Sequence, residues 1–118
     1  MAYGSYQEIP LGRDYFFTTN VATRLTDLGA TMVNASLYFL AKESPEVDDD
    51  ADAIINVTPT ANTTTNVVTV TIPRVNTNLA QIYPHLFWEV SMKTASNLFY
   101  TLDQGRMAIT EPVRLTQP

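Results

Sequence analysis

Along this chain apolar residues recur at every second position, the period of a pleated strand with one face on a core, more often than at the spacing of a helix. Leu86, Trp88, Val90 and Met92 alternate with Phe87, Glu89, Ser91 and Lys93, which predicts a half-buried strand. Val68, Val70 and Ile72 alternate with Val67, Thr69 and Thr71, and this β-branched run stops at Pro73, which cannot donate to a ladder. A third run sets Val33, Ala35, Leu37, Phe39 and Ala41 against Met32, Asn34, Ser36, Tyr38 and Leu40; it reads as a strand, with a helix left open. Shorter strands are expected at Asp14–Thr19, where Tyr15 and Phe17 share a side, and at Ala53–Val57.

The punctuation between these runs is that of a β protein. Leu98, Tyr100 and Leu102, then Asp103-Gln104-Gly105, then Met107 and Ile109 predict a hairpin whose glycine supplies the positive φ of a tight connection. Another turn is expected at Thr94–Asn97, and Asn76, Thr77 and Asn78 ahead of Leu79 predict a capped helical turn within Arg74–Ala80, crossing between sheets. Glu43–Asp52 and Thr58–Asn66 read as exposed loops. The expected fold is all-β, an immunoglobulin-like antiparallel β-sandwich of about seven to nine short strands with one short helical crossing. Its core should hold Phe17, Leu37, Phe39, Val70, Ile72, Leu86, Trp88, Val90, Tyr100, Leu102 and Ile109.

Size and composition agree with one core. A chain of 118 residues with 45% hydrophobic content can bury roughly two-thirds of its unfolded surface in one sandwich domain over 1–118. Extended arms are expected at 1–12 and 111–118. The formal charge of −5, with seven scattered basic residues, argues against a nucleic-acid partner, whose phosphates call for a basic face. No run approaches membrane-spanning length and no signal peptide is read at the N-terminus, so neither a membrane nor secretion is expected.

Candidate chemistry changes this picture little. The absence of cysteine removes disulfides, thiolate metal sites and thiol nucleophiles. Asp48, Asp50 and Asp52 have the opening spacing of a calcium loop, but Ala53 and Pro59 stand where the glycine and the bidentate glutamate would be needed, so no metal or other cofactor is expected. His85 is the only histidine, which leaves no His pair for acid–base work. Asp14 with Glu89, or Asp103 with Glu111, could do glycoside chemistry only if they faced each other across a cleft. No catalytic residue is assigned, and an enzyme is not expected.

The surplus aromatics point to surfaces. Strict alternation puts Phe16, Tyr38, Phe87 and Phe99 opposite the core, where they either face solvent together or lie beneath other elements. Tyr3, Tyr6, Ile9 and Leu11 in the first arm and Val113 and Leu115 in the last make both arms more apolar than a solvated tail needs. These ten residues are the candidate interface.

The order of features resembles a family. Ala51-Asp52-Ala53-Ile54-Ile55, Val68-Thr69-Val70-Thr71-Ile72-Pro73, Leu86-Phe87-Trp88-Glu89-Val90, Leu98-Phe99-Tyr100-Thr101-Leu102-Asp103-Gln104-Gly105 and Met107-Ala108-Ile109 are similar to small immunoglobulin-like domains of tailed bacteriophage structural proteins. The likeness is to the N-terminal domain of baseplate upper proteins, and the earlier Leu25-Thr26-Asp27-Leu28-Gly29-Ala30 fits the same scheme. It implies a non-enzymatic virion protein, made in the host cytoplasm, that docks on other phage structural proteins or on itself in the tail, baseplate, neck or capsid surface. The alternative is a carbohydrate-binding or host-adhesion module using exposed aromatics on a surface glycan.

Overall fold

A computed structural model of the chain describes residues 6–10, 13–44, 53–74 and 83–110. Among them are eight strands and one helix: β1 (Gln7–Pro10), β2 (Tyr15–Asn20), α1 (Ala22–Leu28), β3 (Ser36–Lys42), β4 (Ile55–Val57), β5 (Thr60–Asn62), β6 (Val67–Ile72), β7 (Tyr83–Lys93) and β8 (Phe99–Thr110). They form a five-stranded sheet in the order β1-β8-β7-β3-β4 and a three-stranded sheet in the order β2-β6-β5. The fold is all-β and sandwich-like. Every pairing is antiparallel except β1 with β8, which run parallel and make the larger sheet mixed.

Alternation builds the core. Leu86, Trp88, Val90 and Met92 of β7, Leu37, Phe39 and Ala41 of β3, and Val68, Val70 and Ile72 of β6 are all buried on the inner faces. Phe17 of β2 meets the larger sheet edge-on, its ring 5.9 Å from Phe39 and 5.2 Å from Trp88, while Phe39 and Trp88 stack at 6.0 Å. This trio is the seam between the sheets. Edge-to-face geometry sets the positive rim of one ring against the negative face of the next, adding to the burial of large apolar surfaces. Leu102 and Ile109 are also buried, and Tyr100 is half-buried against the cluster.

Three sequence expectations are corrected. The Leu98–Ile109 stretch is not a hairpin: β8 runs unbroken from Phe99 to Thr110 along β7. The real hairpin is the connection before it, where the Asn97 amide donates to the Thr94 carbonyl at 2.9 Å and Asn97 takes φ 66°. Gly105 has no positive φ; a Cβ there would lie 2.9 Å from the indole of Trp88, so glycine lets that ring lie over the strand. The second correction is Ile9, an expected interface residue: it pairs with Ile109 in β1 and is fully buried, so this part of the first arm belongs to the sheet. Thr58–Asn66, expected to be loop throughout, contains the exposed edge strand β5 and a turn in which the Asn62 side chain accepts from the Thr64 and Thr65 amides. The helix among the described residues, Ala22–Leu28, carries the chain from the smaller sheet to the larger and ends at Gly29 with φ 63°, a left-handed cap natural to glycine. The crossing expected within Arg74–Ala80 and the acidic stretch from 45 to 52 lie outside the described residues.

Candidate docking face

The solvent side of the five-stranded sheet is shaped by the second of two register shifts in the β7–β8 ladder. Val90 pairs with Asp103 but Ser91 pairs with Thr101, so Leu102 is an extra residue, a β-bulge in β8. Before it Phe99 and Thr101 point outward and Tyr100 and Leu102 inward; after it Gln104 and Arg106 point outward and Gly105, Met107 and Ile109 inward. Asp103 turns inward at the bulge and is buried. Its carboxylate accepts from the Thr19 hydroxyl of β2 at 2.5 Å and from the Gln104 amide at 2.9 Å, linking the two sheets. Arg24 of α1 donates to the Thr101 carbonyl at 3.0 Å beside the same bulge.

The parity change brings two aromatic–cation groups onto one face. At one end Tyr38 of β3 and Phe99 of β8 stack at 6.0 Å, with the Lys93 ammonium 5.9 Å from the Phe99 ring. At the other end the Arg106 guanidinium lies 4.7 Å from the ring of Phe87, its cross-strand partner. Between them the Glu89 carboxylate accepts from the Thr101 hydroxyl at 2.5 Å, with Ser91 and Gln104 as neighbours. Around the Phe87 end a concavity of about 420 Å³ is lined by Leu40, Lys42, Phe87, Glu89, Gln104 and Arg106. Phe99 is 64% and Leu98 52% exposed, so large apolar side chains here do face water.

The expected interface residues are therefore divided. Tyr38, Phe87 and Phe99 share this face. Phe16 is 68% exposed, but on the three-stranded sheet, and Tyr6 is exposed at the start of β1. Tyr3, Leu11, Val113 and Leu115 lie outside the described residues. Sequence reasoning missed Lys93 and Arg106 as partners of these rings. Lys93 was legible as an outward position of β7, whereas the position of Arg106 was concealed by reading Asp103-Gln104-Gly105 as a turn.

Asp14 and Glu89 are not assembled into a site. Asp14 accepts from the Arg74 amide at 2.7 Å beside the smaller sheet, while Glu89 sits on the solvent side of the larger one. Asp103 is inside, and Glu111 is not among the described residues. His85 is exposed on β7. Among the described residues no three His, Asp or Glu side chains gather as a metal site, and no helix is long and apolar enough to cross a membrane. Burial first, and the nearby Glu8 charge second, raise the Tyr15 phenol above its ordinary value, and its hydroxyl donates to the Gln7 side chain.

No protein-family model and no curated protein matches the chain. Among solved structures it is similar to the soluble domain of PmoD from Methylocystis sp. ATCC 49242 (Rockwell), at 16% identity and a TM-score of 0.46, over 88% of this chain and 78% of that one.

Proposed function

We propose that this chain is a non-enzymatic assembly module, a structural protein of a tailed bacteriophage virion that is made in the host cytoplasm and docks on other particle proteins. The observation that carries the docking part is the solvent face of the five-stranded sheet, where Tyr38 and Phe99 stack in the open beside Lys93, and Phe87 lies under Arg106. Tyrosine, phenylalanine and arginine are the residues enriched where proteins meet, and large rigid rings bury area at low entropic cost. The virion part is supported by the sequence resemblance alone. The glycan alternative is less favoured by the same geometry: a sugar stacks on a free ring face, and here Arg106 lies over Phe87 while Tyr38 and Lys93 lie against Phe99.

Two measurements test the proposal. Mass spectrometry of purified particles should find the chain in many copies. The Tyr38→Ser, Phe99→Ser double variant should fold with nearly unchanged Tm, since both rings are exposed, yet enter particles poorly. Trace abundance in particles would overturn the virion reading, and full incorporation of the double variant would overturn this face as the contact.

A further inference from the structure

We propose that the partner of this face is an extended segment carrying two acidic residues about six positions apart, with neutral residues between them. The inference rests on the reading of the face as a docking surface and adds the chemistry of its occupant.

Charge complementarity is the first argument. The chain carries twelve acidic and seven basic residues, yet the outward positions of the adjacent strands β7 and β8 carry Lys93 and Arg106, with Glu89 as the acidic residue between them. Within an acidic molecule this face is locally basic. The partner group of Arg106 and of Lys93 among the described residues is a ring rather than a carboxylate. A cation over a ring face keeps its charge and most of its donors, so each remains able to donate to a carboxylate from outside.

Spacing is the second argument. Phe87, opposite Arg106, and Lys93, opposite Phe99, are six residues apart on β7, which at strand rise is roughly 20 Å. That exceeds the Debye length of about 8 Å at physiological ionic strength, so the two cations hardly repel each other and each needs its own counter-charge. An extended segment laid along β7 advances at the same rise per residue, so two acids six positions apart reach both. The middle of the face excludes a continuous acidic run. Glu89 stands there, held by Thr101, and a carboxylate above it would meet a like charge. Beside Arg106 the concavity floored by Leu40 and Phe87 has room for one apolar side chain next to the first acid.

The test is selection of a random displayed library of 16-residue peptides on the immobilised full-length chain. Enriched peptides should carry two Asp or Glu residues five to seven positions apart, an apolar neighbour to one of them, and few acids between. Their binding should weaken with added salt and fall at least about tenfold in the Lys93→Glu, Arg106→Glu double variant, while Lys93→Arg with Arg106→Lys retains it. Matching melting temperatures for the two double variants would assign the loss to charge rather than to misfolding. The proposal is overturned if enrichment yields neutral or basic peptides, if uninterrupted acidic runs bind best, if charge reversal leaves binding intact, or if nothing is enriched. Binding of acidic oligosaccharides through the same two cations, without peptide binding, would also overturn it and favour a glycan. Particle incorporation is measured separately, so failure of the two-acid pattern and failure of the virion reading remain distinguishable.

Discussion

At the residue scale, the Trp88–Gly105 pair shows how one glycine can have two readings with different consequences. As a turn residue Gly105 would need positive φ; in the structure it is a mid-strand glycine that makes room for an indole. Gly105→Ala should therefore cost about 1 to 3 kcal/mol through overpacking. That cost should shrink in a Trp88→Phe background, because the atoms a Cβ would crowd are Cε2, Cζ2 and Nε1 of the indole. An equal cost in both backgrounds, measured by urea unfolding, would contradict the packing explanation. Trp88→Ala should be worse, about 3 to 5 kcal/mol, since Trp88 is 2% exposed, contacts Phe17 and Phe39, and donates from its indole N–H to the Arg106 carbonyl at 3.1 Å. An unchanged melting temperature would remove Trp88 from the core.

At the element scale, β1 is held by more than its parallel ladder. The Tyr15 hydroxyl of β2 donates to the Gln7 side chain of β1, and both its burial and Glu8 disfavour the phenolate. A folded-state pKa raised above the unfolded value means that the fold favours the neutral phenol. That contribution is complete below pH 10, the ordinary value for this group, and is lost as the pH rises through the higher folded value. Relative to the wild type, Tyr15→Phe should lose stability at neutral pH and show a shallower decline under alkaline conditions; parallel stability curves across that range would contradict the link. The bulge in β8 was half legible. Inward residues sit at even positions at Tyr100 and Leu102 and at odd positions at Met107 and Ile109, so a change of parity is written in the sequence. A turn and a bulge both change parity, and only the continuous pairing of β7 with β8 decides for the bulge.

At the scale of the whole molecule, protection should follow depth in the sheets. Central amides of β7, flanked by β3 and β8, should exchange slowest, and those of the exposed edge strand β5 fastest. Hydrogen exchange read by mass spectrometry that found β5 as protected as β7 would contradict this arrangement. The sequence by itself determined the class of fold and the inner faces of the long strands, because period-two alternation is a local consequence of the pleat: Leu86, Trp88, Val90 and Met92 share one face as a strand. Strict alternation also puts Phe99, and Tyr38 once its run is a strand, on the side away from that core. It could not determine that they meet, since their contact depends on β3 and β8 both flanking β7, a pairing of segments distant in the chain. Ile9 is the converse case. Nothing local distinguishes a short apolar segment of a tail from an edge strand, and only a partner strand with open hydrogen-bonding groups, here β8, turns Gln7–Pro10 into part of the sheet and buries that side chain.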